Sequence, residues 1–341
     1  MVGAVCPRDS YSRKFKMSSA VNTNPFAKPL DILQLLTTSP TPQDHVLPGL
    51  LAGTVGMLAG PGGVGKTMFE LQVAMAIACG GSICGGIFAD GQYGMTLSAQ
   101  PGKVVMVAAE EAVNVIWHRL HAIAATLLQH SELLGLDISP ERLLRLWAEH
   151  LQIYSLAEMP RVTLMDRALI PSESFNYLKL ACKGARLVIL DPIRRLHTSE
   201  ENDSSAMTAL VQMLQEISSH TKAAVVFAHH TNRASTQLGQ GDTVGAARGS
   251  TALSDGVRWQ LNLSRPTREI AKRYGVAESE CSRFVMVDIA KSNYVPPQPT
   301  FMLKRLEGGL LMLPDAIQQA SARNVMSATN ATIAKKRTRT T

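Results

Sequence analysis

Cysteine is scarce in this 341-residue chain, and the five present, Cys6, Cys79, Cys84, Cys182 and Cys281, are scattered and odd in number. None forms a C-x-x-C pair, so neither a disulfide frame nor a zinc site is expected. No run of about 18 apolar residues free of charge and glycine occurs. The basic N-terminus has no hydrophobic block behind it, so nothing reads as a signal peptide, and a cytoplasmic protein with no membrane partner is expected. The chain also lacks charge surplus where a nucleic-acid surface would need it. The formal net charge is +7, but Arg8, Arg13, Lys14 and Lys16 near the start, less the charge of Asp9, and Lys335, Lys336, Arg337 and Arg339 near the end account for it. The body is formally neutral, so the high isoelectric point says little about partners.

What is present is regular punctuation. Residues 1–29 are polar and mixed and read as a flexible extension. "LDILQLL" is a short apolar helix, followed by a Pro/Thr/Ser breaker. Strands and helices then alternate: "GTVGMLAG", a helix from Lys66 to about Cys79, "GKVVMVAAE", helices within 112–147, "LQIYSL", a helix from about Glu173, "ARLVILD", a helix from about Ser204 and "AAVVFAHH". Apolar runs without clean alternation, separated by helical stretches, indicate a mainly parallel central sheet flanked by helices. "GVRWQLNLSR" and "SRFVMVDIAKSNY" add C-terminal strands, and "TFMLKRLEGGLLML" reads as a hairpin turning at Gly308-Gly309. This is an α/β fold with one domain over 30–313 and a flexible basic tail over 314–341.

"MLAGPGGVGKTM" fits the nucleotide-binding P-loop pattern, between an apolar strand and a helix. Gly60, Gly62, Gly63 and Gly65 let backbone amides turn inward on phosphates, with Pro61 and Val64 in the same binding loop, and the helix N-terminus adds partial positive charge. Lys66 is expected to reach the β- and γ-phosphates of ATP and Thr67 to hold Mg²⁺, with Met68 completing the expected nucleotide-binding set.

"RLVILD" ends in Asp191, as expected of a Walker B strand whose carboxylate sits beside Mg²⁺. Pro192 and Ile193 follow, where many ATPases carry a water-polarising glutamate. The base must therefore come from elsewhere, and "VVMVAAEE" offers Glu110 and Glu111. We expect that strand beside the P-loop strand, with Glu110 favoured because it comes directly off the strand; an acid pair placed by a helix dipole is the alternative. His229 and His230 end another apolar strand, where one of them is expected to sense the γ-phosphate, a structural strand cap being the alternative.

A glutamate on the second strand, no acid after the Walker aspartate and extra β-structure C-terminal to the core are features of RecA-like ATPases. The blocks "DHVLPGLLAGTVGMLAGPGGVGKTM", "AAEE", "LDPIRRLH", "VVFAHHTNRAS", "ARGSTALSDGVRWQ" and "AKSNY" resemble those of RepA-type hexameric replicative helicases of broad-host-range plasmids, relatives of the DnaB motor. The resemblance spans roughly residues 30–310. It implies a ring-shaped homohexamer that hydrolyses ATP at subunit interfaces and threads single-stranded DNA, with primase and replication initiator proteins as expected partners. Glu110 takes the place of the catalytic glutamate, Asp191 that of the Walker aspartate and Arg248 that of an arginine finger given by a neighbour. An extension before Met17 and a longer insert in 155–175 depart from the family pattern.

The stretch "TNRASTQLGQGDTVGAARGS" is rich in Gly, Ser, Thr and Gln and reads as a loop. In a ring it can face the channel, where Arg233 would touch phosphates without reading bases; a solvated surface loop is the alternative. Arg194 and Arg195 suit either a structural ion pair or a ligand contact. Two other functions share the fold: a filament-forming recombination ATPase, and a regulatory ATPase that binds no DNA.

Overall fold

Side chains that alternate between two apolar layers organise the central sheet. In β3 (Val55–Gly60), β4 (Val104–Ala108), β6 (Leu187–Asp191) and β7 (Ala224–His230) nearly every residue is buried. Leu58, Val104, Met106, Leu187, Ile189 and Val226 face one apolar layer, while Met57, Val105, Val188, Leu190, Val225 and Phe227 face the other. Alternation sends successive side chains to opposite faces, so strands that look uniformly apolar are core on both sides. Truncating Phe227 to alanine would cost about 3–5 kcal/mol.

The computed structural model describes residue 26, residues 28–86, 100–231 and 251–314, and residue 316. The chain divides into two compact units, residues 1–42 and 43–341. The first contains α1 (Ile32–Thr37), begun by Asp31 accepting from Gln34 N, with Ile32, Leu33, Leu35 and Leu36 exposed.

In the second unit, β1 (His45–Leu47) and β2 (Leu50–Leu51) pair as a small antiparallel hairpin ahead of β3. Beneath it Gly56 gives room to Trp259, whose Cε3 would lie 2.6 Å from any Cβ there and whose indole donates to Pro48 O at 2.8 Å. The nine-stranded sheet runs β11-β10-β9-β8-β3-β7-β6-β4-β5, with β5 (Leu151–Ser155), β8 (Trp259–Ser264), β9 (Phe284–Ser292), β10 (Phe301–Arg305) and β11 (Leu311–Met312). From β8 to β5 neighbours pair in parallel, and β9, β10 and β11 add on antiparallel.

One expectation is corrected here. β4 does not lie beside β3: β7 and β6 stand between them. The parallel crossovers put the P-loop and Walker strands on opposite sides of β7, and the tip of β4 is joined to β6 by Ala109 N donating to Asp191 O at 2.7 Å.

α2 (Lys66–Cys79), α3 (Val113–Gln129) and α4 (Pro140–His150) cover one face; α5 (Glu173–Ala181) and α6 (Ser204–Thr221) cover the other. Twelve of the 14 residues of α2 are buried, which is why it lacks a polar stripe. It ends at Gly80, whose left-handed φ of 73° lets its N–H return to Ala76 O and Ile77 O. Ser139, Ser172 and Asp203 cap α4, α5 and α6. α7 (Thr251–Gly256) packs on α6, and α8 (Arg268–Arg273) lies in the connection from β8 to β9. The 155–175 insert is tied to the β6–α6 connection by Leu164 N to Leu196 O (2.8 Å) and Arg161 Nη2 to His197 O (2.8 Å). Among the described residues no helix is long and apolar enough to cross a membrane.

Candidate nucleotide-binding site

The loop after β3 turns back through residues that only glycine accommodates easily. Gly63 has φ 71° and Gly65 φ 111°, and a Cβ on Gly60 would stand 2.7 Å from Leu263 O. The turn delivers the chain into the first residue of α2, where unpaired helical N–H groups and the dipole favour an anion. Lys66, only 6% exposed, donates to Gly60 O at 2.8 Å and Pro61 O at 3.2 Å. Burial lowers its pKa, opposed by the nearby carboxylates of Asp191, Glu70 and Glu110.

Lys66 Nζ also lies 3.2 Å from His230 Nδ1. An ammonium can only donate, so Nδ1 is the lone-pair nitrogen and the imidazole is neutral. Burial, and then the Lys66 charge, lower the His230 pKa and favour that same form. Alternation along β7 turns the neighbouring His229 the other way: it is buried, with Nδ1 3.9 Å from Glu201 Oε1. His230 is therefore the histidine that faces the cleft.

Thr67 Oγ1 donates to Asp191 Oδ2 at 2.6 Å, bringing the Walker pair together from two distant elements. The two candidate bases differ in their partners. Glu111 is engaged by Arg119 Nη2 at 2.7 Å, and its carbonyl accepts from Ser155 Oγ at 2.7 Å. Among the described residues the cation nearest Glu110 is Arg195, with Nε at 4.0 Å, and half of the Glu110 side chain is exposed. The Glu111 carboxylate is already occupied by a guanidinium, whereas that of Glu110 is open to the cleft, where a general base must reach its water. Arg194 lies 3.9 Å from Glu201 and donates to Ser199 O at 3.2 Å, the structural role among the alternatives for that residue.

These groups line one cleft of about 470 Å³, bounded by Gly63, Lys66, Thr67, Glu110, Asp191 and His230, with Met68, Arg119, Arg305 and Gly308-Gly309 along the rest of its wall. The volume suits a small-molecule ligand. The hydroxyl and carboxylate of Thr67 and Asp191 are hard oxygen donors of the kind a hydrated Mg²⁺ uses, and Lys66 and the loop amides complement phosphate, so the site fits Mg²⁺ and a nucleoside triphosphate. Arg233 and Arg248 lie outside the described residues.

Sequence reading missed two groups. Glu70 is 2% exposed inside α2, where burial and the neighbouring Asp191 push its pKa well up. Its signal was available: a lone carboxylate one turn after Lys66 in a mainly apolar helix. Arg305 donates from β10 to Val64 O at 2.7 Å, a contact across 241 positions that no local pattern announces.

A family model described as "AAA domain" (AAA_25) matches residues 23–236, more than half of the chain. The chain belongs to that family. Among solved structures, the "ATPase Domain of G40P" superposes with a TM-score of 0.52 at 14% identity, covering 82% of this chain and 95% of that one. A structure titled "The Structure Of A DnaB-Like Replicative Helicase And Its Interactions With Primase" gives 0.52 at 15% identity, covering 82% of this chain and 64% of that one, so this chain spans a little under two thirds of it. At such identities the likeness shows the fold, that of a RecA-like P-loop ATPase.

Proposed function

We propose that this protein is the motor of a replicative DNA helicase: a ring-shaped homohexamer that hydrolyses ATP at subunit interfaces to move along single-stranded DNA during plasmid or mobile-element replication. The observation that carries the enzymatic part is the convergence of Lys66, Thr67, Asp191, Glu110 and His230 on one cleft from four separate elements. Support for the DNA-translocating part is the order of sequence blocks shared with RepA-type helicases and the fold shared with DnaB-like ATPase domains.

ATP supplies the phosphoryl group whose transfer to water releases the energy. In this reading Lys66 leaves the carbonyls of Gly60 and Pro61 to hold β- and γ-phosphate oxygens, while Thr67 and Asp191 hold hydrated Mg²⁺. Glu110 accepts the proton of the attacking water. His230, bonded to Lys66, registers loss of the γ-phosphate and passes it to the segment after β7. Arg248 of a neighbouring subunit stabilises charge on the transferring group, and Arg233 meets the DNA backbone in the channel.

The test is negative-stain imaging with a non-hydrolysable ATP analogue and single-stranded DNA, paired with ATPase assays. Closed rings and DNA-stimulated turnover are expected. Filaments would favour a recombination ATPase, and neither rings nor DNA stimulation would favour a regulatory ATPase.

A further inference from the structure

The cleft has a second end that the hydrolytic residues do not use. A P-loop orders its ligand: Lys66, Asp191 and Glu110 mark the γ-phosphate end, and the loop amides running to Thr67 and Met68 cradle the α- and β-phosphates. The nucleoside must leave past Met68, and what stands there is the C-terminal hairpin. A Cβ on Gly309 would lie 3.2 Å from Met68 Cε, and one on Gly308 3.0 Å from Ala122 Cβ of α3. Both glycines have positive φ, 74° at Gly308 and 89° at Gly309, so this wall is bare backbone.

Arg305 enters the cleft just before that turn. Its guanidinium donates to Val64 O and sits 3.2 Å from where a Gly65 Cβ would be. Arg265, just after β8, has its Nη2 4.0 Å from where a Gly63 Cβ would be. Among the described residues neither arginine has a carboxylate within 4.0 Å. Two guanidiniums beside the positive end of α2, one partly desolvated, repel one another, and burial followed by Arg265 lowers the Arg305 pKa accordingly. Only one of the five guanidinium N–H donors is used on Val64. The complement to this arrangement is an anion held next to the turn.

We propose that Arg305 and the Leu306–Leu310 turn form the nucleoside end of the subunit's own nucleotide site, with Arg305 a binding residue for the α-phosphate and the glycine backbone a wall against the ribose and base. This rests on the nucleotide reading above and adds to it a residue of the same chain, far in sequence from the P-loop. The hairpin is fixed to the P-loop helix through Gln72 and closed by Leu306 N donating to Leu310 O at 2.7 Å, so its position does not depend on a partner subunit.

The experiment is calorimetric titration of wild type, Arg305→Gln and Arg305→Lys with ADP and with a non-hydrolysable ATP analogue, alongside the melting temperature of each protein without ligand. Glutamine keeps a donor for Val64 O but removes the charge. Loss of the α-phosphate contact should weaken both ligands by the same factor, about tenfold, with a weaker salt dependence; lysine should restore most of the affinity, and the ligand-free melting temperatures should agree. Wild-type ADP affinity in Arg305→Gln overturns the proposal. So does a loss confined to the ATP analogue, which would move Arg305 to the γ-phosphate, or equal losses in Gln and Lys variants that also melt early, which would make it a brace for the loop. A wild-type protein that binds neither ligand would instead overturn the nucleotide reading itself.

Discussion

Gln72 and Leu311 pair as two strand residues would: Gln72 Nε2 donates to Leu311 O at 2.9 Å, and Leu311 N donates to Gln72 Oε1 at 2.8 Å. A side chain on the P-loop helix thus completes the backbone of the last strand. Replacing it by leucine, Gln72→Leu, leaves a buried N–H and a buried C=O unpaired, at a cost of about 2–4 kcal/mol. Urea unfolding should show a lower midpoint with an unchanged slope. An unchanged midpoint would mean that the clasp is replaced by water and contributes little.

Lys66→Ala should abolish hydrolysis, because the β- and γ-phosphates lose their main side-chain charge; a loss of about 10²-fold or more is the scale for a preorganised charge. Wild-type turnover in this variant would sink the nucleotide assignment.

Glu110→Gln should bind nucleotide normally and slow turnover by about 10²-fold or more, the range for a positioned base. Glu111→Gln should have a smaller effect, acting through release of Arg119, with which Glu111 pairs at 2.7 Å. Single-turnover assays decide between them. If the Glu111 variant shows the deep defect and the Glu110 variant does not, the base assignment is reversed.

Arg248 tests the oligomeric reading. An arginine supplied by a neighbour can be worth about 10³-fold in rate. Arg248→Ala and Lys66→Ala proteins should each be inactive, while mixed assemblies recover turnover where an intact P-loop meets an intact finger. No recovery from freely exchanging subunits would remove Arg248 from the active site of its neighbour.

Local chemistry made most of the fold legible. The glycines before Lys66 dictate the P-loop turn, and the apolar runs at 187–191 and 224–230 require a sheet buried on both faces, so those elements follow from sequence alone. Sheet order did not follow. β4 lies three places from β3 because crossover connections, rather than strand patterns, decide which strands become neighbours. The same limit applies to the site. Thr67 and Asp191 were foreseeable as a pair because each stands in a motif expected to hold the same ion, whereas Arg305 reaches Val64 only because the antiparallel strands added late in the chain bring it back to the P-loop. The preference for Glu110 came from its place directly off the strand; the pairing of Glu111 with Arg119, a helix residue whose partner no spacing rule names, was not legible.

His197 supplies a pH dependence whose sign is fixed by its surroundings. It is fully buried between the β6–α6 connection and the 155–175 insert, and its pKa is pushed down to about 4, first by burial and then by the Arg194 charge, with Arg161 and His229 adding to the effect. In the unfolded chain the imidazole titrates near its ordinary value of about 6.5. Between these two values the unfolded chain binds the extra proton, so this residue's contribution is fully present above about pH 6.5 and is lost as pH falls toward the folded pKa. Allowing for partial screening, the loss between roughly pH 7 and pH 5 should be about 1–2 kcal/mol. His197→Leu removes the titration while keeping an apolar side chain in place. Urea midpoints measured across that window should fall with acid in the wild type and fall less steeply in the variant. Parallel slopes in the two proteins would mean that His197 takes up its proton without unfolding its surroundings, and that the acid sensitivity arises at other groups.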